Sequence, residues 1–251
     1  MLAQRRSRYH LHVAATAEDL RTAQRLRWLC FMARHRPADD PDMVDSDDLD
    51  PLCTHMLIEE AGSGQLVCCF RFLHLRDGSE IARSYSARHY DLSPLADFDG
   101  PMVELGRFCI HPGWRDPDIL RLAWAELTRF VDANGVRMLF GCSSFLGADP
   151  DAHAEALAIL RERHIAPRRW LPRVKAPQVF RFARVLARRR ADPRAALAAM
   201  PPLLRSYLVM GGWVSDHAVV DRDLDTLHVF TGLEIGAIPA ARQRLLRRAA
   251  G

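Results

Sequence analysis

Residues 103–123 read VELGRFCIHPGWRDPDILRLA. Val103, Leu105, Phe108 and Ile110 supply the apolar alternation of a strand, His111-Pro112-Gly113 breaks it, and an amphipathic helix restarts from Asp116. A strand that feeds a helix start offers an anion site, because the first helical N–H groups are unpaired and sit at the positive end of the dipole. Arg115 stands just before that start. Glu104 and Arg107 fall on opposite faces of a regular strand. A bulge after Gly106 would remove that opposition and splay the strand edge.

A chain of 251 residues, 49% of them hydrophobic, is long enough for one large domain or two small ones with an ample core. No apolar run approaches the roughly 18–20 residues of a membrane span, and the N-terminal MLAQRRSRYH lacks the apolar stretch of a signal peptide, so a cytoplasmic protein is expected. Six cysteines, Cys30, Cys53, Cys68, Cys69, Cys109 and Cys142, form no CxxC pair and have no histidine at zinc-ligand spacing. Buried free thiols and no metal are the expectation. A Cys109 nucleophile would need His111 folded back as its base.

The net charge is +4, and Lys175 is the single lysine. Arginines gather at Arg5–Arg8, Arg168–Arg190 and Arg242–Arg248, which suits either a solvated helix face or an acidic partner such as a carrier protein, an anionic membrane surface or nucleic acid. No helix-turn-helix, RNP or zinc signature supports the last of these, and nucleic acid is not an expected partner.

In chain order, Tyr9–Ala14 reads as a strand and Thr16 as the N-cap of a helix running to about His35, with Arg27 and Phe31 four apart on one face. Residues 36–51 hold seven acids among prolines and read as too polar for core. They lack the glycine and closing glutamate of a calcium loop, which leaves a solvated loop or one that meets a cationic ligand. Thr54–Glu60 and Leu66–Leu75 form a hairpin signal around Ala-Gly-Ser-Gly. Arg71, inside the second strand, requires a carboxylate from the acidic loop or from Glu104. Residues 76–102 read as an irregular excursion with a short helix near Ala82–Tyr90 and no legible chemistry.

Met138–Ser143 reads as a strand ending in Ser143-Ser144, whose hydroxyls either cap the strand end or face a cleft there. No GxSxG elbow accompanies them. Asp151–His164 reads as a helix, and residues 178–190 as a basic amphipathic one. Pro193–Ala199 and Pro202–Val209 read as short helices, Trp213–Val220 and Thr226–Phe230 as strands, and Ala240–Ala249 as a basic terminal helix. Neither a repeat nor a flexible linker interrupts the chain, so residues 1–251 are expected to form one elaborated domain, with a core at about 9–170 and a C-terminal elaboration at about 171–251.

ELGRF resembles the ELxRF segment of acyl-homoserine lactone synthases, a branch of the GNAT acyltransferases. Arg27 with Phe31, Asp47 with Asp50, Arg71, and Glu104 with Arg107 repeat that branch's motif order. DPLCTHMLIEE, ELGRFCIHPGWRDPDILRLAW, LFGCSSF, PPLLRSY and DHAVVDRDLDTLHVF are similar to ornithine N-acyltransferases, which make lyso-ornithine lipid from an acyl carrier protein thioester. The resemblance covers roughly residues 10–240. It implies an α/β (α+β) fold of GNAT type, with a mixed, mostly antiparallel central sheet, a splayed strand and flanking helices.

It also implies transfer of a 3-hydroxyacyl chain from acyl carrier protein to the α-amine of L-ornithine. Glu104 and Arg107 would be catalytic, with Arg27, Phe31, Asp47, Asp50, Arg71 and Ser143 on the substrate. Phe108, Cys109, Ile110 and Arg115 would hold the donor's phosphopantetheine arm. No further cofactor and no metal is expected. Asp116, Pro117 and Asp118 stand where acetyl-CoA users carry glycines for a pyrophosphate, which favours a carrier-protein arm. Peripheral contact with the inner membrane face is kept open. An acyl-homoserine lactone synthase remains the first rival, although Pro37 replaces a tryptophan of that branch, and an arginine-rich membrane or nucleic-acid binder remains the second.

Overall fold

The computed structural model describes residues 8–34 and 43–250. Pro37 lies outside them, as do Arg5 and the start of the acidic loop. In order, the elements are β1 (Tyr9–Val13), α1 (Ala17–Phe31), β2 (Thr54–Glu60), β3 (Leu66–Leu75), α2 (Ser86–His89), β4 (Tyr90–Asp91), β5 (Met102–Ile110), α3 (Pro117–Ala133) and β6 (Met138–Leu146). There follow α4 (Ala154–Arg163), β7 (Arg173–Val174), β8 (Val179–Phe180), α5 (Phe182–Val185), α6 (Pro193–Ala199), α7 (Pro202–Val209), β9 (Trp213–Asp221), β10 (Thr226–Glu234) and α8 (Ala240–Ala250).

Two compact units interleave along the chain, one comprising Met1–Leu73, Leu105–Arg129 and Leu246–Gly251, the other His74–Glu104 and Phe130–Leu245. In the first, the strand order is β1-β2-β3-β5. β1 and β2 run antiparallel from Tyr9↔Glu60 to Val13↔Met56, and β2 returns as β3 with Thr54 opposite Phe72. α1 begins with a capping box, in which Thr16 Oγ1 accepts from Asp19 N–H at 3.1 Å and the Asp19 carboxylate accepts from Thr16 N–H at 3.0 Å. It lays Ala23 and Leu26 on Leu57, Leu66, Cys69 and Cys109, with Phe31 at the margin.

In the second unit the order is β5-β6-β10-β9-β8. β5 enters parallel to β6 through Met102↔Met138, Val103↔Leu139 and Glu104↔Phe140, and the remaining pairings are antiparallel. β6 and β10 pair from Met138↔Glu234 to Leu146↔Thr226. Helices α4 to α7 bury Leu157, Leu160, Phe182, Met200 and Leu204 against Phe145, Val214, Leu227 and Val229 of the strands. Gly232 is required by close approach, because a Cβ there would lie 2.4 Å from the Trp213 ring. β4 and β7 form a separate two-stranded ribbon.

The mixed, mainly antiparallel sheet with flanking helices is the expected fold class. The expected basic helix over 178–190 is not what forms. Val179–Phe180 joins β9 as β8 and only Phe182–Val185 is helical, because Phe182 is drawn fully into the core and ends the amphipathic repeat. β6 and β10 also run past their expected ends, to Leu146 and Glu234, each extending the other's ladder.

Candidate active site

The first unit holds a network of three arginines and three aspartates. Arg27, on the inner face of α1 and 1% exposed, donates from Nε to Asp45 at 2.8 Å and from Nη1 to Asp50 at 2.7 Å. Arg71 on β3 clasps Asp47 through both guanidinium nitrogens, at 2.6 and 2.7 Å, and also donates to Asp50. Arg107 on β5 reaches Asp45 at 3.0 Å and Asp47 at 3.3 Å. Gln24 Nε2 donates to Asp50 Oδ2 at 2.9 Å, and His55 Nε2 lies 2.9 Å from the Asp50 carbonyl. Three positive and three negative charges thus close on one another where a lone charge would be very costly.

The acidic loop is therefore not solvated along its length. Asp45 and Asp50 are 2% and 4% exposed, with Leu49 buried beside them, and the expectation that the loop is too polar for core fails there. Burial alone would raise the Asp47 carboxyl, but the Arg71 guanidinium, then Arg107 and Arg27, hold it down at about 2. Since that value lies below the ordinary 3.8, Asp47 contributes stability that is complete above about pH 4 and is lost as pH falls toward 2. The contribution is about 2 kcal/mol. Urea midpoints measured from pH 5 to pH 2.5 should fall for the wild type and fall less steeply for Asp47→Asn; equal slopes would refute the assignment.

Along β5 the chain twists at Arg107, whose φ of 52° is left-handed. The left-handed conformation thus falls on the arginine itself, at a cost of about 1–2 kcal/mol that the two aspartates on its guanidinium offset. Phe108 stacks on Phe70 at 5.6 Å, and the Cys109 thiol lies 3.5 Å from that of Cys69 in the core. His111 turns onto Gly113 N–H at 3.1 Å and Gln65 at 3.3 Å. A Cys109 nucleophile with His111 as base is not assembled: the two side chains face different partners. Asp116 accepts from Asp118 N–H at 2.9 Å as the cap of α3, and from Tyr9 OH and Arg8, each at 2.8 Å. Burial, and then that bond to Asp116, raise the Tyr9 hydroxyl to about 12. Arg115 is exposed in front of the helix.

Glu104 belongs to the second unit and is 5% exposed. Its Oε2 accepts from Tyr85 N–H at 2.8 Å, and its Oε1 accepts from Ser86 N–H at 2.7 Å and Ser86 Oγ at 2.6 Å. Ser86 Oγ also lies 3.5 Å from Cys142 Sγ. On the same face Tyr90 OH donates to the His228 carbonyl at 2.8 Å, with His89 and His217 packed around the two rings. Burial, reinforced by His89 and His217, lowers His228 to about 3 and keeps it neutral. Ser143 is buried and accepts from Thr231 Oγ1 at 2.9 Å, tying β6 to β10.

The structure thus gathers Arg27, Asp47, Asp50, Arg71 and Arg107 into one network, places Phe108, Cys109 and Ile110 further along β5, and sets Glu104 on its own shelf of Tyr85 and Ser86. Sequence reading missed Asp45, Gln24 and Ser86. Asp45 belonged to an acidic stretch with no internal ranking, and Ser86 stood in a segment without chemical pattern; only the demand of a buried carboxylate for donors could have pointed to it.

A strand that passes from ELGRF through a turn into a capped amphipathic helix, within a mixed sheet, defines a GNAT-type acyltransferase. Residues 26–125 match the family model described as an acetyltransferase (GNAT) domain. The chain belongs to the L-ornithine N(alpha)-acyltransferase family. It is 33% identical over 249 residues to L-ornithine N(alpha)-acyltransferase of Rhodobacter capsulatus, covering 96% of this chain and 95% of the relative. It is 30% identical over 237 residues to the protein of that name in Rhizobium meliloti, covering 90% and 80%. Among solved structures, a CoA-dependent acyl-homoserine lactone synthase, BjaI, shares the fold with a TM-score of 0.50 and 12% identity over 97% of this chain and 90% of that one. No helix among the described residues is long and apolar enough to cross a membrane.

Proposed function

We propose that this acyltransferase moves a 3-hydroxyacyl chain from acyl carrier protein to the α-amine of L-ornithine, giving lyso-ornithine lipid. The reading is carried by the similarity to relatives named for ornithine acylation, which extends over 96% and 90% of the chain. In the reaction the ornithine ammonium loses a proton, and its nitrogen attacks the thioester carbonyl. The tetrahedral oxyanion then collapses with C–N bond formation complete and the C–S bond broken, and the nitrogen's second proton passes to the pantetheine thiolate, leaving a neutral amide and a thiol.

Glu104 is the group assigned to accept the first proton, directly or through a water. Backbone N–H groups of the Phe108–Ile110 stretch are assigned to the oxyanion. Asp47 and Arg107, the more exposed members of the ion network at 15% and 16%, are the ones available to a charged substrate, while Arg27 and Asp50 brace them from beneath. The donor arm's single phosphate suits Arg115 at a helix start where Asp116 already serves as cap. No other cofactor and no metal takes part in this scheme. α8 offers Arg242, Arg244, Arg247 and Arg248 to anionic head groups, and α5 is too short to add to it.

Purified enzyme given ornithine with 3-hydroxyacyl carrier protein or the matching CoA thioester should use the carrier-protein donor far better. Equal rates would overturn the donor assignment. Lipids of cells expressing the chain should contain a new hydroxyacyl-ornithine by mass spectrometry, and a homoserine lactone in the medium would favour the rival synthase.

A further inference from the structure

Strand β1 lies at the edge of the first unit's strand order and carries His10 and His12, two residues apart and so on one face. Glu59 of β2 lies directly opposite His10 in the antiparallel register. Ligand-capable atoms of all three fall within 4.8 Å of one another. His12 Nε2 stands 3.3 Å from Glu59 Oε1, and the imidazoles of His10 and His12 stack at 5.5 Å with 26° between their planes.

A plain His–Glu ion pair accounts for His12 and Glu59 but gives no role to a second imidazole stacked on the first. A metal accounts for all three. Around a tetrahedral zinc, with bonds of about 2.0–2.2 Å, neighbouring ligand atoms sit roughly 3.3–3.6 Å apart, which is the separation His12 and Glu59 already have. The other nitrogen of His12, Nδ1, lies 3.4 Å from the Val13 carbonyl. A backbone carbonyl on Nδ1 is the partner that keeps the proton there and leaves Nε2 to the metal.

We propose that His10, His12 and Glu59 form a binding site for a borderline divalent transition metal, with zinc as its probe. Two imidazoles and one carboxylate from adjacent strands are the ligands, and water completes the shell. Calcium and magnesium, which demand oxygen ligands, do not fit this donor set. The bound ion would clip the edge strand to its neighbour and blunt the open edge. The site is separate from the acyltransferase reading and does not depend on it.

Titration calorimetry of the full chain with zinc chloride should show one saturable site in the wild type that is lost in His10→Ala/His12→Ala. Loss of a ligand exceeds loss of an outer partner, so His10→Ala and Glu59→Gln should each weaken binding at least about tenfold. Zinc should raise the melting temperature of the wild type and not of the double variant. Equal zinc binding by the double variant would hand the metal to the thiols. Unchanged affinity in His10→Ala would reduce the cluster to an ion pair, and no saturable binding up to about 1 mM would end the proposal.

Discussion

Asp50→Asn should cost the folded chain about 3–5 kcal/mol and lower its melting temperature by roughly 10 °C or more. Asp50 Oδ1 receives both Arg27 and Arg71, and its Oδ2 receives Gln24. A neutral amide withdraws one charge from a balanced set, leaving three buried or half-buried guanidinium groups to share Asp45 and Asp47. It also turns an NH₂ toward groups that are themselves donors. Folded proteins have only about 5–15 kcal/mol in hand, so this one substitution takes a large share. Differential scanning calorimetry checks it, with Asp118→Asn as comparator. Asp118 pairs with Arg121 on the exposed face of α3, at 58% and 69% exposure, and its loss should be nearly silent. Near-equal melting temperatures for the two variants would mean that the network does not hold the loop.

That expectation reverses the one drawn from sequence, and the reversal has a physical source. Seven acids among prolines cannot bury themselves, and read alone the stretch is solvent-facing. What buries Asp45 and Asp50 comes from far along the chain: Arg27 on α1, Arg71 on β3 and Arg107 on β5. Half of this was legible, since an arginine inside the apolar run Leu66–Leu75 had to find a carboxylate, and the acidic loop was one of two candidates. The number of arginines sharing the acids was not legible. It depends on the left-handed turn at Arg107, which a strand pattern does not encode.

Where local pattern alone decides, the reading held closely. Thr54–Glu60 and Leu66–Leu75 form the expected hairpin because the two apolar runs and the Gly-Ser-Gly turn between them agree. Residues 178–190 failed for the opposite reason. Their helical repeat was outweighed by the place Phe182 finds between α4 and β9, a tertiary demand with no local signature.

The Glu104 shelf illustrates the same limit and leads to the sharpest test of mechanism. A carboxylate in an apolar strand must be paired or used, and the partner the sequence offers is Arg71. The structure gives it Tyr85 N–H, Ser86 N–H and the Ser86 hydroxyl, so Glu104 also caps the short helix α2. Glu104→Gln bears on both roles and separates them. As a cap, glutamine keeps one accepting oxygen and turns an NH₂ toward a donor, a loss of about 1–3 kcal/mol seen in melting and not in kcat per folded molecule. As a base, its loss should lower kcat by roughly 10² to 10⁴-fold with the fold intact, and activity should partly recover at high pH, where the free amine no longer needs a base. We expect both: a modest fall in melting temperature and a large fall in kcat. Ser86→Ala isolates the cap, because it removes one donor and leaves the carboxylate. It should reproduce part of the thermal loss with little of the kinetic one. If Glu104→Gln keeps near-normal kcat at neutral pH while losing stability as Ser86→Ala does, Glu104 is the cap of α2 alone and the proton goes elsewhere.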